Sequence, residues 1–290
     1  LVLGETIRYS ERMQIQEGIV TISEYKKVCS SSLFSDLEAF SNAFVARNKE
    51  VFAVYGWSVD PLHQWSRQWE FPFVFDAISS FLSEDKKSNV DILDMGSGLT
   101  FFPFFLANKI RGARISCCDI DLTLTDLFDV TQKNENATVS FACCDIHALP
   151  YADNSFDVVY CISVLEHTDS YKTIINEVKR VLRPGGVFVV SFDISLDGQS
   201  DIPVLGAQKL FSSLSNLFVC KNCGGDFATS LKDPSILTTD YFRRNNPSLL
   251  PWRWSLRSFL SLFKQLLYLR IPKGSFRNLA VFGGVFKKYE

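Results

Sequence analysis

Only three histidines and two methionines occur among the 290 residues, and no long run carries charge of one sign. Thirty basic against 32 acidic residues leave a net charge of −2. The basic stripe that draws proteins to a polyphosphate backbone is therefore missing, and nucleic acid is not expected as a partner. No run of about 18 uninterrupted apolar residues occurs, which argues against a membrane-spanning helix. Leu1 to Ser10 has neither a basic start nor an apolar core, so a secretory leader is not expected.

Four of the eight cysteines, Cys117, Cys118, Cys143 and Cys144, fall inside apolar strand-like runs and read as small buried hydrophobes. Cys220 and Cys223 have the spacing of zinc ligands, but no second pair or histidine-rich stretch completes a set of four, so no metal is expected. A reduced, cytoplasmic protein is the expectation from this cysteine usage.

What is abundant is apolar and aromatic: 47% hydrophobic residues, 14% aromatic. That suffices for one sizeable core with extensions. Residues 1–30 are mixed and only weakly periodic, and Ser30, Ser31 and Ser32 make a break. Leu37, Phe40, Phe44 and Val45 predict a helix from Asp36. A second helix is expected to carry His63, Trp65, Arg67 and Trp69, break near Pro72, and continue through Phe73, Ile78, Phe81 and Leu82.

The most informative stretch is Val90–Thr100. A short apolar run ends at Asp94, Gly96-Ser97-Gly98 follows, and Phe101–Ile110 has helical spacing. Strand, glycine turn and helix in that order let a ligand lie against the backbone with no Cβ between, which makes a nucleotide-type ligand the first hypothesis. A carboxylate at Asp94 would repel a pyrophosphate and favour a ligand carrying positive charge, such as the sulfonium and ammonium of S-adenosylmethionine.

A second apolar run, Arg114–Cys118, ends at Asp119-Ile120-Asp121, about 20 residues past the glycines, from where a carboxylate accepts from both hydroxyls of a ribose. A third, Val139–Cys144, ends at Asp145-Ile146. It runs through His147 and Ala148-Leu149-Pro150 into a polar turn and the strand Phe156–Ile162. The fourth delivers Ser163, Glu166 and His167 at its C-terminal end, where ligands bind in open parallel sheets. Tyr171–Leu182 is an amphipathic helix stopped by Pro184-Gly185-Gly186, and Val187–Phe192 is the next strand.

Asp-x-Gly-x-Gly at 94–98, Ala-Leu-Pro at 148–150, Ser-Phe-Asp-Val-Val at 155–159 and Val-Leu-Arg-Pro-Gly-Gly at 181–186 together resemble the class I S-adenosylmethionine-dependent methyltransferases. A further glycine usually stands in that family where Thr100 stands here. The resemblance covers residues 88–193. It implies a Rossmann-like α/β fold: a doubly wound, seven-stranded, mostly parallel sheet with helices on both faces and an antiparallel last strand. It also implies that Asp145 bonds the adenine amino group while Ile146 packs on the ring, and that Gly96, Ser97, Gly98, Asp119, Ile120 and Ser163 line the cofactor.

Residues 1–87 would then form an extension and helical lid, with Arg67 placed to pair with the methionine carboxylate, and with Trp65 and Trp69 near the ligand. Residues 88–290 would form the methyltransferase domain. His167 and Glu166 are the candidate catalytic pair, since a histidine suits a general base near neutral pH.

Toward the C-terminus, Leu210–Leu214 reads as helix, Leu217–Cys220 as strand and Leu279–Phe286 as the closing strand. A cap insertion of about 55 residues, 224–278, contains an amphipathic helix from Ser255 to Arg270 that could face the core, a substrate or a membrane surface. The expected function is methyl transfer from S-adenosylmethionine, releasing S-adenosylhomocysteine, to oxygen or nitrogen of a small-molecule acceptor such as a natural product or sugar unit. A nicotinamide-dependent oxidoreductase and a non-catalytic cofactor-binding partner protein stay open, as does the oligomeric state.

Overall fold

The computed structural model describes residues 13–55, 60–85, 89–137, 139–168, 170–198, 201–220, 227–250 and 277–289. The chain opens with β1 (Gly18–Ile19), α1 (Ile22–Cys29), α2 (Ser32–Arg47), α3 (Lys49–Val54) and α4 (Arg67–Asp85). Alternation follows: β2 (Val90–Met95), α5 (Phe102–Lys109), β3 (Ala113–Asp119), α6 (Leu124–Glu135), β4 (Val139–Cys143), β5 (Phe156–Ile162), α7 (Tyr171–Val181) and β6 (Leu182–Ser195). It closes with β7 (Ile202–Pro203), α8 (Val204–Leu217), β8 (Val219–Cys220), α9 (Phe227–Ser230), α10 (Thr239–Asn245) and β9 (Leu279–Lys287).

The sheet runs β1-β9-β6-β5-β2-β3-β4, with β7 beside β6 and β8 beside β9. Strands β4, β3, β2, β5 and β6 are parallel, and β9 is antiparallel to β6. Among the described residues nine strands are present where seven were expected, but β1, β7 and β8 have two residues each. Such stubs form where a passing chain meets a sheet margin without a run long enough to extend the ladder.

Central strands covered on both faces read as near-continuous apolar runs, and β5 does so apart from Asp157, whose buried carboxylate accepts from the Asp91 N–H and from Arg183. Alternate residues feed two cores. Ile92, Val158, Tyr160, Val189 and Val281 face one side with α1–α6, while Leu93, Val159, Cys161, Val190 and Phe282 face the other with α7 and α8. The first core is built largely of rings, with Phe101, Phe102, Phe104, Phe105 and Phe128 all fully buried.

The helix after the first loop differs from expectation. His63 and Trp65 precede it, and it passes through Pro72 without a break. The ring removes one backbone donor, and the loss is offset by neighbours that hold the helix down. Trp69 stacks on Phe73 at 4.6 Å, and both rings lie on Gly283 of β9, where a Cβ would sit 2.5 Å from Trp69. Trp69 is thus core rather than ligand pocket. The Pro184-Gly185-Gly186 segment is a bulge at the start of β6, not a stop outside it: Phe156 pairs with Leu182 and Val158 next with Val187. Gly186 has no room for a side chain, its Cβ position lying 2.8 Å from the Asp157 carbonyl.

Residues 204–217 are all helix, so the predicted 217–220 strand shrinks to Val219–Cys220. The predicted 255–270 helix lies outside the described residues. Within the expected cap, α10 packs Phe242 against Tyr25 and Trp65, which joins it to the N-terminal helices. Among the described residues no helix is long and apolar enough to cross a membrane.

Candidate functional site

The C-terminal ends of β2, β3, β4 and β5 open into a cavity of about 570 Å³. Gly96 and Gly98 have φ of +76° and +50°, the region that disfavours a Cβ. A Cβ on Gly96 would also lie 2.6 Å from Val164. The turn is anchored from both sides. The Gly96 and Ser97 N–H groups donate to the Cys118 carbonyl at 2.8 and 3.0 Å, and the Gly98 N–H donates to Asp119 Oδ2 at 2.9 Å. Asp119 Oδ1 accepts from the Asp121 N–H at 3.1 Å. A carboxylate has about four lone-pair sites, so two remain for a diol. Asp121 itself is engaged by the Thr123 N–H and hydroxyl.

Asp94, at the end of β2, lines the same cavity. Burial pushes its carboxyl up to about 8, aided by the charge of Asp119 and opposed by the Tyr160 hydroxyl. A cation arriving beside it would restore the carboxylate. Ile120 is 74% exposed and lines the cavity with the buried Ile146, so an apolar surface is available for a flat ring. Asp145 is exposed, with one oxygen accepting from the His147 N–H at 2.9 Å and lying 2.6 Å from its Nδ1. His147 therefore lines the cavity as the partner of that acid.

Two further residues complete this wall that sequence reasoning missed. The Tyr55 hydroxyl accepts from the Leu99 N–H at 2.9 Å, and Gln64 lines the cavity from the segment before α4. Neither has a local signature.

A second cavity of about 1020 Å³ adjoins the first, and Gln64, Arg67, Ser163 and His167 line both. Trp65 belongs to this one, with Leu249 and Leu250. Arg67 donates to Glu70 Oε2, while Glu70 Oε1 accepts from the hydroxyls of Ser163 and Ser191, each at 2.7 Å. Burial works against the guanidinium's charge, but Glu70, with Asp193 and Glu166 nearby, more than compensates. Ser163 has φ of +48°, a strained value for a residue with a side chain, and the Glu70 bond holds it there.

Glu166 and His167 sit on the single turn Leu165–His167 after β5 and point differently. His167 faces both cavities, with Nδ1 3.7 Å from Asp201. Burial lowers its affinity for a proton, Asp201 opposes this, and Arg277 and Arg67 add to it. Glu166 faces only the larger cavity. It is 6% exposed, and burial with the charge of Glu70 pushes its carboxyl up to about 8. Asp193, at the end of β6, lines the same cavity.

Cysteine placement corrects one expectation. Cys117 and Cys118 are buried as expected, but Cys143 is exposed and Cys144 half-buried, because β4 is the edge strand. Cys220 is disulfide-bonded, which departs from a wholly reduced chain and takes it out of any zinc set. Among the described residues no group of three metal-ligating side chains occurs.

The smaller cavity fits S-adenosylmethionine in kind: a buried acid for positive charge, an acid at the end of β3 with lone pairs to spare, two isoleucines for a ring, and glycines where a Cβ would intrude. Residues 93–190 match the methyltransferase domain family. An uncharacterized protein of Methanocaldococcus jannaschii is 33% identical over 40% of this chain and 47% of its own. The methyltransferase GfsG of Streptomyces halstedii is 30% identical over 45% of this chain and 47% of its own. The chain thus spans about half the length of these two curated relatives. The tRNA U34 carboxymethyltransferase of Campylobacter curvus aligns over 88% of both chains at 20% identity. The structure of a putative sarcosine dimethylglycine methyltransferase from Galdieria sulphuraria superposes over 75% of this chain and 85% of that one, with a TM-score of 0.49 and 16% identity. With the four motifs, the domain match and the cavity agreeing, residues 93–190 form a methyltransferase domain of the S-adenosylmethionine-dependent kind, and S-adenosylmethionine is its cofactor.

Proposed function

We propose that this chain transfers the methyl group of S-adenosylmethionine to oxygen or nitrogen of a small-molecule acceptor seated in the larger cavity. One observation carries the reading: the two cavities meet along Gln64, Arg67, Ser163 and His167, so a ligand in the larger one borders a cofactor in the smaller. The cofactor, when bound, supplies an electrophilic methyl on a sulfonium. The chain's contribution is to hold the acceptor against it, since positioning alone removes a large part of such a barrier. Asp94 receives the positive end of the cofactor, Asp119 the ribose, and Asp145 with Ile146 the adenine.

His167 is held toward its neutral form and stands at the junction, so it can accept a proton when the acceptor is a hydroxyl. Arg67 is tied to Glu70, so its role toward the methionine carboxylate is as a charge held at fixed distance rather than a mobile clamp. Residues 88–290 are the methyltransferase domain in this reading, with 1–87 supplying one wall of each cavity.

Nucleic acid is not excluded by charge alone, because the relative aligned over most of the chain is named for a tRNA substrate. Calorimetric titration with S-adenosylhomocysteine and NAD, followed by transfer of labelled methyl to fractions of small metabolites and of total tRNA, separates the readings. Selective S-adenosylhomocysteine binding with label in the small-molecule fraction is expected. NAD preference would overturn the cofactor, label in tRNA the acceptor class, and tight cofactor binding with no transfer would favour the non-catalytic partner.

A further inference from the structure

The walls of the larger cavity are not balanced in charge. Arg67 is held by Glu70, Arg277 lies 3.3 Å from Asp201, and His167 also faces Asp201 at 3.7 Å. His63 lies between Asp60 and Glu38. Each basic group on the described wall therefore already faces an acid, with Arg277 and His167 sharing Asp201. Glu166 and Asp193 are left over, 6% and 8% exposed. Neither oxygen of Glu166 nor Oδ1 of Asp193 makes a well-formed hydrogen bond among the described residues, although the Ser163 hydroxyl and the Glu166 backbone N–H lie near enough to Glu166 to favour its ionised form slightly.

Buried carboxyls without donors are costly, and such groups in a native protein call for a ligand. Three buried, unpartnered acceptor oxygens on two acids that line the cavity equal in number the three N–H donors of a primary ammonium. A hydroxyl would satisfy one of them and leave the other two unmatched. Trp65, Leu249 and Leu250 offer an apolar wall for the remainder of such a molecule.

We infer that the acceptor is a small molecule bearing an amine, recognised as its ammonium by Glu166 and Asp193. This rests on the reading of the smaller cavity as the cofactor site and of the larger as the acceptor site. Both carboxyls are held toward their neutral forms in the empty cavity, Glu166 by burial and the charge of Glu70, Asp193 by burial and the charge of Glu166. Arg67 opposes this for both and does not prevail. An ammonium reverses the balance and lets them ionise. Recognition is independent of which acceptor atom is methylated.

The test uses the whole chain saturated with S-adenosylhomocysteine. 2-Phenylethylamine, 1-aminohexane and 2-amino-2-deoxyglucose are compared by ligand-observed NMR with 2-phenylethanol, 1-hexanol and glucose. At least one amine is expected to bind roughly tenfold or more tightly than its hydroxyl counterpart, the scale of a charged hydrogen bond over a neutral one. That preference should shrink in Glu166→Gln and vanish in Glu166→Gln with Asp193→Asn. No amine preference in the unaltered chain, no amine binding at millimolar concentration, or a preference that survives the double substitution would each overturn the inference. Because S-adenosylhomocysteine saturation is measured first, a failed cofactor reading is seen as its absence. A failed acceptor inference is seen as saturation without amine selectivity.

Discussion

The two cavities are built on opposite plans. In the smaller one, Asp119, Asp145 and Tyr55 each accept from N–H groups of their own walls, so the site is formed before any ligand arrives. In the larger one, Glu166 and Asp193 keep open oxygens. A shared cofactor rewards a site fixed in advance, because every interaction already made costs nothing to order on binding. Acceptor selection rewards polar groups that only the right ligand satisfies, since a wrong one leaves them buried and unmatched.

The comparison breaks most sharply at Gly96. Gly96→Val puts a side chain into φ of +76° and into Val164, and S-adenosylhomocysteine affinity should fall roughly 100-fold or more by calorimetry. Asp119→Ala removes the Gly98 and Asp121 anchors together with the proposed ribose contact, and a loss of about 10- to 100-fold is expected in the same titration.

A pH titration of the melting temperature reads one buried acid from each cavity, the feature the two designs share. Glu166 moves from its ordinary 4.5 to about 8, and Asp94 from 3.8 to about 8. Between those values the folded chain holds protons that the unfolded chain has released, so stability present at low pH is lost as pH rises through the window. The cofactor-free protein should therefore lose several degrees between about pH 5 and 8 from these groups, and Glu166→Gln should flatten its share of the slope. The smallest effect belongs to Asp145. It is exposed and screened, so Asp145→Ala should weaken S-adenosylhomocysteine about threefold and leave the pH slope unchanged.

What the sequence made legible follows the same division. Central parallel strands need continuous apolar runs, and the site residues close those runs, so Asp94, Asp119 and Asp145 were visible as acids after strands. Asp193 carries that same signal at the end of β6, but with no glycine or ring-packing neighbour beside it nothing marked it as more than a boundary. Glu70 was hidden for a different reason. An acid within a helix reads as solvent-facing, and only the packing of α4 across β5 and β6 makes it the acceptor for Ser163 and Ser191. Pro72 misled because its local penalty was read without the Trp69–Phe73–Gly283 contact that overrides it.

Gln64, Arg67, Ser163 and His167 make the partition between the cavities a single side chain thick. Occupancy of one side is then felt on the other, and by linkage the influence is reciprocal. A sulfonium on one side disfavours an ammonium on the other, while the neutral thioether left after transfer does not. Substrate would therefore be held more loosely before the reaction than beside the spent cofactor, which sets up inhibition by the abortive pair.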